Sequence, residues 1–306
     1  MNKVWVSGDA VVDLIPEGVD TYLKCPGGAP ANVAVAISRL GGESAFFGRI
    51  GHDPMGRFML ETLSGESVDT TSITIDTKQR TSTVVVDLDE LGERSFTFMV
   101  KPSADQFMQP SDIPEFEKNQ WLHICSIALA NEPSRSSTFL AIKKMKEEGG
   151  YISFDPNLRD EVWSKPEEIK EVVLDAVKLA DVVKFSDDEL LFLTDSHDLN
   201  EALLKIKAYK NTLVLVTQGA KGALVINGNE QQLIKGKAAV PVDTTGAGDA
   251  FVGGLLRYLS ASNNWFAQNE ILTAVKWANA CGALAVTKKG AMTALPNMQQ
   301  LTHYLK

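Results

Sequence analysis

Residues 242–254, VDTTGAGDAFVGG, gather groups that can handle an anion and a proton together. Gly246, Ala247 and Gly248 stand where a turn runs into an apolar helical pattern, so their backbone N–H groups can converge on an anion at the positive end of a helix dipole. Asp249 follows directly. A carboxylate facing a bound anion is repelled by it, unless it has a second task such as taking the proton of a hydroxyl that attacks the anion. Capping the helix is the other task an aspartate performs at such a position. Local spacing does not choose between the two.

The elements that must position these residues follow from periodicity. Short β-rich runs alternate with helical patterns: VWVSGDAVVDL, ANVAVAISRLGG and SAFFGRIG early, then YISFDPN, EEIKEVVLDAVKLA, DVVKFS, ALLKIKAYK and TLVLVTQG. That alternation predicts an α/β protein with a mostly parallel sheet covered by helices on both faces. The opening run reads as one first strand, with Asp13 at its end, where ligands of open parallel sheets collect. Residues 81–100 break the rhythm, alternating at period two around DELGE. This is the pattern of an antiparallel hairpin, either a lid or an edge extension of the main sheet. In the last third, GDAFVGGLLRYLSA and NEILTAVKWANACGALAVT read as long helices. Their Gly253, Gly254, Ala278, Ala280, Gly282 and Ala283 allow close helix approach.

Composition removes several function classes. A chain of 306 residues, 44% hydrophobic and 23% charged, suits one large domain with a small appendage. No apolar stretch is long enough to span a bilayer. Asp9 and Asp13 interrupt the apolar opening, which argues against a signal peptide. Cys25, Cys125 and Cys281 form neither a disulfide framework nor a zinc pattern, which points to a reducing cytosol. A net charge of −9 without a lysine or arginine block argues against nucleic acid or an anionic membrane as partner and favours a small molecule. No G-x-G-x-x-G follows the first strand and no G-x-x-x-x-G-K-[ST] occurs. His52, His123, His197 and His303 make no H-E-x-x-H.

DTTGAGDAFVGG resembles the C-terminal signature of the ribokinase-type (PfkB) carbohydrate kinases, and PGGAPANVAVAISRLGG, residues 26–42, resembles their glycine-rich N-terminal signature. SVDTTSI, FDPNLR, LVTQGAKGALV and AVTKKGAMTALP extend the likeness over essentially the whole chain. Within the family the wording stands closest to bacterial members that phosphorylate fructose or aminoimidazole riboside. The resemblance implies a ribokinase-like three-layer fold, a single domain over 1–306, with a small β lid from insertions at about 14–26 and 72–102.

It also implies ATP-dependent phosphorylation of a sugar hydroxyl, with Asp249 as base and the amides of Gly246, Ala247 and Gly248 holding the transferring phosphoryl group. The sugar would meet Asp13, Gly27, Gly28, Asn32 and Arg159, with Phe98 from the lid. ATP with Mg2+ would use Asn157, Lys184, Glu189, Thr217, Gly219, Ala220, Gly222 and Asn279. A potassium ion would sit between Asp243, Thr245 and a loop including Ala285, Lys288 and Gly290. The family's Asn-x-x-Glu motif is altered here, because KFSDDE carries Ser186 in the asparagine position. Relatives that pair through their lids imply a homodimer, since free strand edges invite pairing. The reading from another class is a regulatory sugar-binding protein that keeps the fold without turnover. Asp249 and an intact GAGD argue for turnover.

Overall fold

The computed structural model describes all residues except 19, 89–93 and 238. The first half of the chain forms β1 (Val4–Ser7), β2 (Val11–Pro16), β3 (Tyr22–Gly27), α1 (Ala29–Arg39), β4 (Ser44–Gly51), α2 (Pro54–Gly65), β5 (Ile73–Asp76), β6 (Thr83–Leu88), β7 (Arg94–Phe98), β8 (Trp121–Cys125) and α3 (Ser134–Glu147). The second half forms β9 (Tyr151–Asp155), α4 (Ile169–Leu179), β10 (Val182–Ser186), α5 (Asp187–Thr194), α6 (Leu199–Lys207), β11 (Leu213–Thr217), β12 (Gly222–Asn227), β13 (Glu230–Lys235), α7 (Ala247–Leu259), α8 (Gln268–Ala285), α9 (Ala291–Ala294) and α10 (Met298–Leu305).

Strand alternation feeds two cores, because successive side chains leave a sheet on opposite faces. Val4, Val6, Phe46, Leu213 and Leu215 enter one core with α1, α7 and α8. Trp5, Phe47, Val214 and Val216 enter the other with α3, α4, α5 and α6. The main sheet runs β13-β12-β11-β10-β9-β8-β1-β4-β5. From β11 to β5 its neighbours pair parallel, while β12 and β13 add an antiparallel margin. Helices on both faces of a mostly parallel sheet are the three layers expected. Among the described residues no helix is long and apolar enough to cross a membrane.

A second sheet, β3-β2-β6-β7, is separate from the first. The hairpin of β6 and β7 is antiparallel as expected and belongs to this sheet, so it is no extension of the main one. Its DELGE turn lies outside the described residues. Two boundaries differ from the sequence reading. The apolar opening is two strands in two sheets, since the chain bends at Gly8 after β1. Asp13 therefore lies within β2, opposite Cys25 and Val84, and not at the end of a main-sheet strand. β5, which falls inside the 72–102 insertion, pairs with β4 in the main sheet. The small sheet is held to the body partly by Lys24, whose ammonium stands 4.0 Å from the centre of the Phe58 ring on α2.

The small residues of α7 act as anticipated, though toward two partners. A Cβ on Gly254 would meet Cys281 Sγ of α8 at 2.7 Å, and one on Gly253 would meet the Cβ of Ala36 on α1 at 2.3 Å. Gly253→Val should therefore destabilise the protein by about 2 kcal/mol, within the range of overpacked cores. Urea unfolding measures it; an unchanged midpoint would mean that α1 and α7 can part without cost.

Candidate functional site

Ligands of open α/β sheets gather at the carboxyl ends of the strands. Here that edge presents Asp9 after β1, Asp155 and Asn157 at the end of β9, and Lys184 near the end of β10, and all four line one cleft of about 960 Å³. The small sheet forms the facing wall. Its inward residues keep the period of two: Val11, Asp13 and Ile15 from β2, Val84 from β6, Phe96 and Phe98 from β7.

The N-terminus of α7 completes the floor. Gly246 caps it with φ 75°, and a Cβ there would stand 2.9 Å from Ala291. Only glycine combines that left-handed backbone with that closeness. Gly246, Gly248 and Asp249 line the cleft. Ala247 is not among the lining residues, and its amide donates to the Thr244 carbonyl at 3.3 Å. Asp249 is 8% exposed and accepts a hydrogen bond of 2.8 Å from Asn32 Nδ2 on α1. The packing of α1 on α7 makes that contact possible. Burial raises the Asp249 pKa above the usual carboxylate value, while the Asn32 hydrogen bond and the charges of Lys184 and Arg159 pull it back.

Lys184 lies beside this carboxylate, its Nζ 3.4 Å from where a Gly248 Cβ would be. Its ammonium donates to both oxygens of Asp155, at 2.9 and 3.1 Å. Burial opposes its charge, but Asp155, Glu189 and Asp249 together hold its pKa above the ordinary lysine value. Burial lifts Asp155 to about 7 against the pull of Lys184. Beneath them His123, hydrogen-bonded to Ser153 Oγ at 3.0 Å, is kept neutral by burial and by Lys184, its pKa pushed down to about 3.

Of the expected sugar set, Asp13, Gly28, Asn32, Phe98 and Arg159 meet in the cleft. Gly28, at φ 93°, brings the chain so close that a Cβ would lie 2.5 Å from the Asp9 carbonyl oxygen. Gly27 faces the Asp13 carboxylate across the β2–β3 pair and is outside the lining, because its neighbour already fills that space.

The expected nucleotide set divides. Asn157 and Lys184 line the cleft; Thr217, Gly219, Ala220, Gly222, Asn279 and Glu189 do not. Thr217 ends β11 next to Ser186 of β10, so this group continues the same carboxyl edge beyond Lys184. Asn279 donates to the Ile234 carbonyl at 2.9 Å and pins α8 to β13. Glu189 is engaged too: its oxygens take the amides of Ser186 at 2.8 Å and Leu158 at 3.1 Å, while Ser186 Oγ takes the Glu189 amide. The serine that replaces the expected asparagine is thus the cap of α5 in a capping box.

The expected cation residues are tied together at the cleft's other end. Asp243 accepts from the Thr245 amide at 3.0 Å, the Thr245 hydroxyl at 2.7 Å and the Gly290 amide at 2.8 Å. Asp243 and Thr245 line the cleft, while Ala285, Lys288 and Gly290 stand behind it; the Ala285 carbonyl is met by the Lys288 amide at 3.3 Å.

The profile of the pfkB family carbohydrate kinases matches residues 1–298. The chain belongs to that family. It is 62% identical to a fructokinase of Vibrio alginolyticus, over 100% of this chain and 99% of that protein. It superposes with TM-score 0.97 and 66% identity on a Vibrio cholerae O395 fructokinase solved with fructose, ADP and potassium ion, covering 100% of this chain and 99% of that one. Aminoimidazole riboside kinase from Salmonella enterica, solved with aminoimidazole riboside and an ATP analog, gives TM-score 0.93 at 42% identity over the full length of both chains.

For a carbohydrate kinase the sequence reading overlooked three parts of the cleft. Asp155 stands in FDPNLR, two residues before the asparagine that was noticed, and only the fold brings it to Lys184. Lys289 reaches the lining from the loop that was read for its carbonyls alone. Asp9 was seen only as an interruption of an apolar run, although a glycine-aspartate pair after a first strand could have flagged it. Removing one member of the buried Lys184–Asp155 pair strands the other charge. Lys184→Met should cost about 3–5 kcal/mol by stranding Asp155, and adding Asp155→Leu should return much of the loss. Chemical denaturation of the single and double variants tests this. A single-variant loss below about 1 kcal/mol would mean that the carboxylate finds water.

Proposed function

We propose that this kinase phosphorylates fructose with ATP, Asp249 acting as general base. The observation that carries the reading is the buried Asp249 carboxylate, fixed by Asn32 beside the first-turn amides of α7 and the Lys184 ammonium, in a cleft faced by a second sheet. The sugar hydroxyl gives its proton to Asp249 as its oxygen bonds to the terminal phosphorus of ATP and the bond to the departing ADP oxygen breaks. Amides at Gly246, Gly248 and Asp249 that have no acceptor one turn back are available to the phosphoryl oxygens. Asp13, Gly28 and Arg159 orient the sugar, and Phe98 closes over it. The nucleotide extends along the carboxyl edge from Asn157 and Lys184 toward Thr217 and the 219–222 turn. Closing the small sheet as a lid excludes water and so limits ATP hydrolysis.

Magnesium would enter with the triphosphate and keep most of its waters, adding charge neutralisation at the transferring group. Glu189, fixed by two amides, acts there through its field on Lys184 and Asp155. The carboxylate, hydroxyl and carbonyl oxygens of 243–245 and 285–290 suit a hard monovalent cation, and we assign potassium to them because the Vibrio cholerae relative was solved with it. Three free cysteines suit the cytosol. The exposed Tyr22 and Leu23 on edge strand β3 suit pairing of two copies through their lids, which light scattering would reveal as a dimer mass. Phe96 and Phe98 offer aromatic faces to a riboside base, which makes aminoimidazole riboside the second substrate to test.

ADP release with fructose, ribose, glucose, 2-keto-3-deoxygluconate and aminoimidazole riboside, each in potassium or sodium, should give the highest kcat/KM on fructose and faster turnover in potassium. A clear preference for the riboside would overturn the substrate assignment. Asp249→Asn should retain sugar binding and lower kcat by roughly 10²-fold to 10⁴-fold; unchanged turnover would remove Asp249 from the chemistry. Because the Asn32 hydrogen bond favours the charged carboxylate, Asn32→Ala should raise the Asp249 pKa. The acid limb of the pH–kcat/KM profile would then move to higher pH, whereas a limb that stays in place would belong to another group.

A further inference from the structure

Beyond the main cleft lies a side pocket of about 260 Å³. The two share Asp9, Phe98 and Ile127, whereas the side pocket contains none of Gly246, Gly248 and Asp249. Asp9 thus stands at the seam of the two cavities, near enough to Asp249 to feel its charge. The polar groups of the side-pocket wall are mostly used within the wall. Asp105 accepts from Ser103 and Gln106, and Asn131 is held by Gln106, Val162 and Ser164. Two groups are exceptions. Asp9 Oδ1, on a residue 3% exposed, and Trp163 Nε1, on a residue 4% exposed, have no hydrogen-bond partner among the described residues. One accepts and the other donates.

We propose that Asp9 is a specificity-determining sugar ligand, its Oδ1 accepting a hydrogen bond from a sugar hydroxyl other than the one phosphorylated. A buried carboxylate oxygen without a partner is costly, and proteins seldom retain one unless something else supplies the donor. Among the described residues no helix begins at Asp9 and no arginine or lysine reaches its Oδ1, so neither capping nor an ion pair accounts for that oxygen. Burial and the nearby charge of Asp105 push its pKa up to about 7, against the pull of a backbone hydrogen bond and of Arg159. A sugar hydroxyl supplies that donor and can also accept from a group such as the Trp163 indole.

This inference rests on fructose as substrate, and the test separates the two. Wild type, Asp9→Ala and Asp9→Asn are assayed on fructose and on each monodeoxy-fructose that keeps the phosphorylated hydroxyl, with thermal unfolding and the KM for ATP as controls. Asp9→Ala should lower kcat/KM on fructose by roughly 10-fold to 100-fold, the worth of a hydrogen bond to a charged group. The loss should shrink to about 3-fold or less on the one analogue lacking the facing hydroxyl, because a deleted partner leaves nothing to lose. Asp9→Asn, which keeps the shape of the side chain, should repeat the pattern with a smaller loss and serves alone if the alanine variant does not fold. Equal losses on every analogue, or unchanged kcat/KM on fructose, would overturn the role of Asp9. A wild type inactive on fructose would overturn the substrate instead, and the same cycle is then run on the sugar that turns over.

Discussion

The hydrogen bond from Asn32 to Asp249 joins two helices, and the floor of the cleft depends on it. A carboxylate out of water has a strong tendency to take up a proton and become neutral. The Asn32 amide and the Lys184 and Arg159 charges oppose that tendency without neutralising the group by direct ion pairing. For Asn32 to reach Asp249, α1 must lie against α7 at a distance that no Cβ on Gly253 would permit. The helix contact that looks like ordinary packing therefore sets the electrostatics of the carboxylate.

The same economy is visible along the sheet edge. Asp9, Asp155 and Asp249 sit near one another in a region where like charges raise each other's pKa. Lys184 is the cation that makes the cluster tolerable, and its two hydrogen bonds to Asp155 fix its ammonium beside Gly248. The site is thus net acidic before any ligand arrives, with its positive potential confined to the start of α7, Lys184, Arg159 and the exposed Lys289. Such a distribution favours an anion at one end of the cleft and hydroxyl groups at the other.

The second sheet solves a different problem. The carboxyl edge of an open sheet faces water, and a reaction that must avoid hydrolysis needs a wall there. Period-two strands supply one, because among the described residues those of β2, β6 and β7 that line the cleft are apolar or aromatic apart from Asp13.

Local chemistry made much of this protein legible from its sequence. Alternating patterns, short enough to be read within one segment, determined the α/β class and the antiparallel hairpin, though not the sheet it joins. Residues 246–249 announced a glycine-capped helix start with a carboxylate in its first turn, because these residues are adjacent in the chain. The tertiary structure alone decided what depends on distant segments meeting. It split the opening run between two sheets and moved Asp13 onto β2. It spent Ser186 and Glu189 on a helix cap. It also brought Asp155 to Lys184 across neighbouring strands and left Asp9 buried with an unmatched oxygen. Spacing along a chain fixes which residues share a turn or a strand face, but hydrogen-bond partners and burial are set by pairs far apart in sequence, which only the folded chain brings within 3 Å of one another.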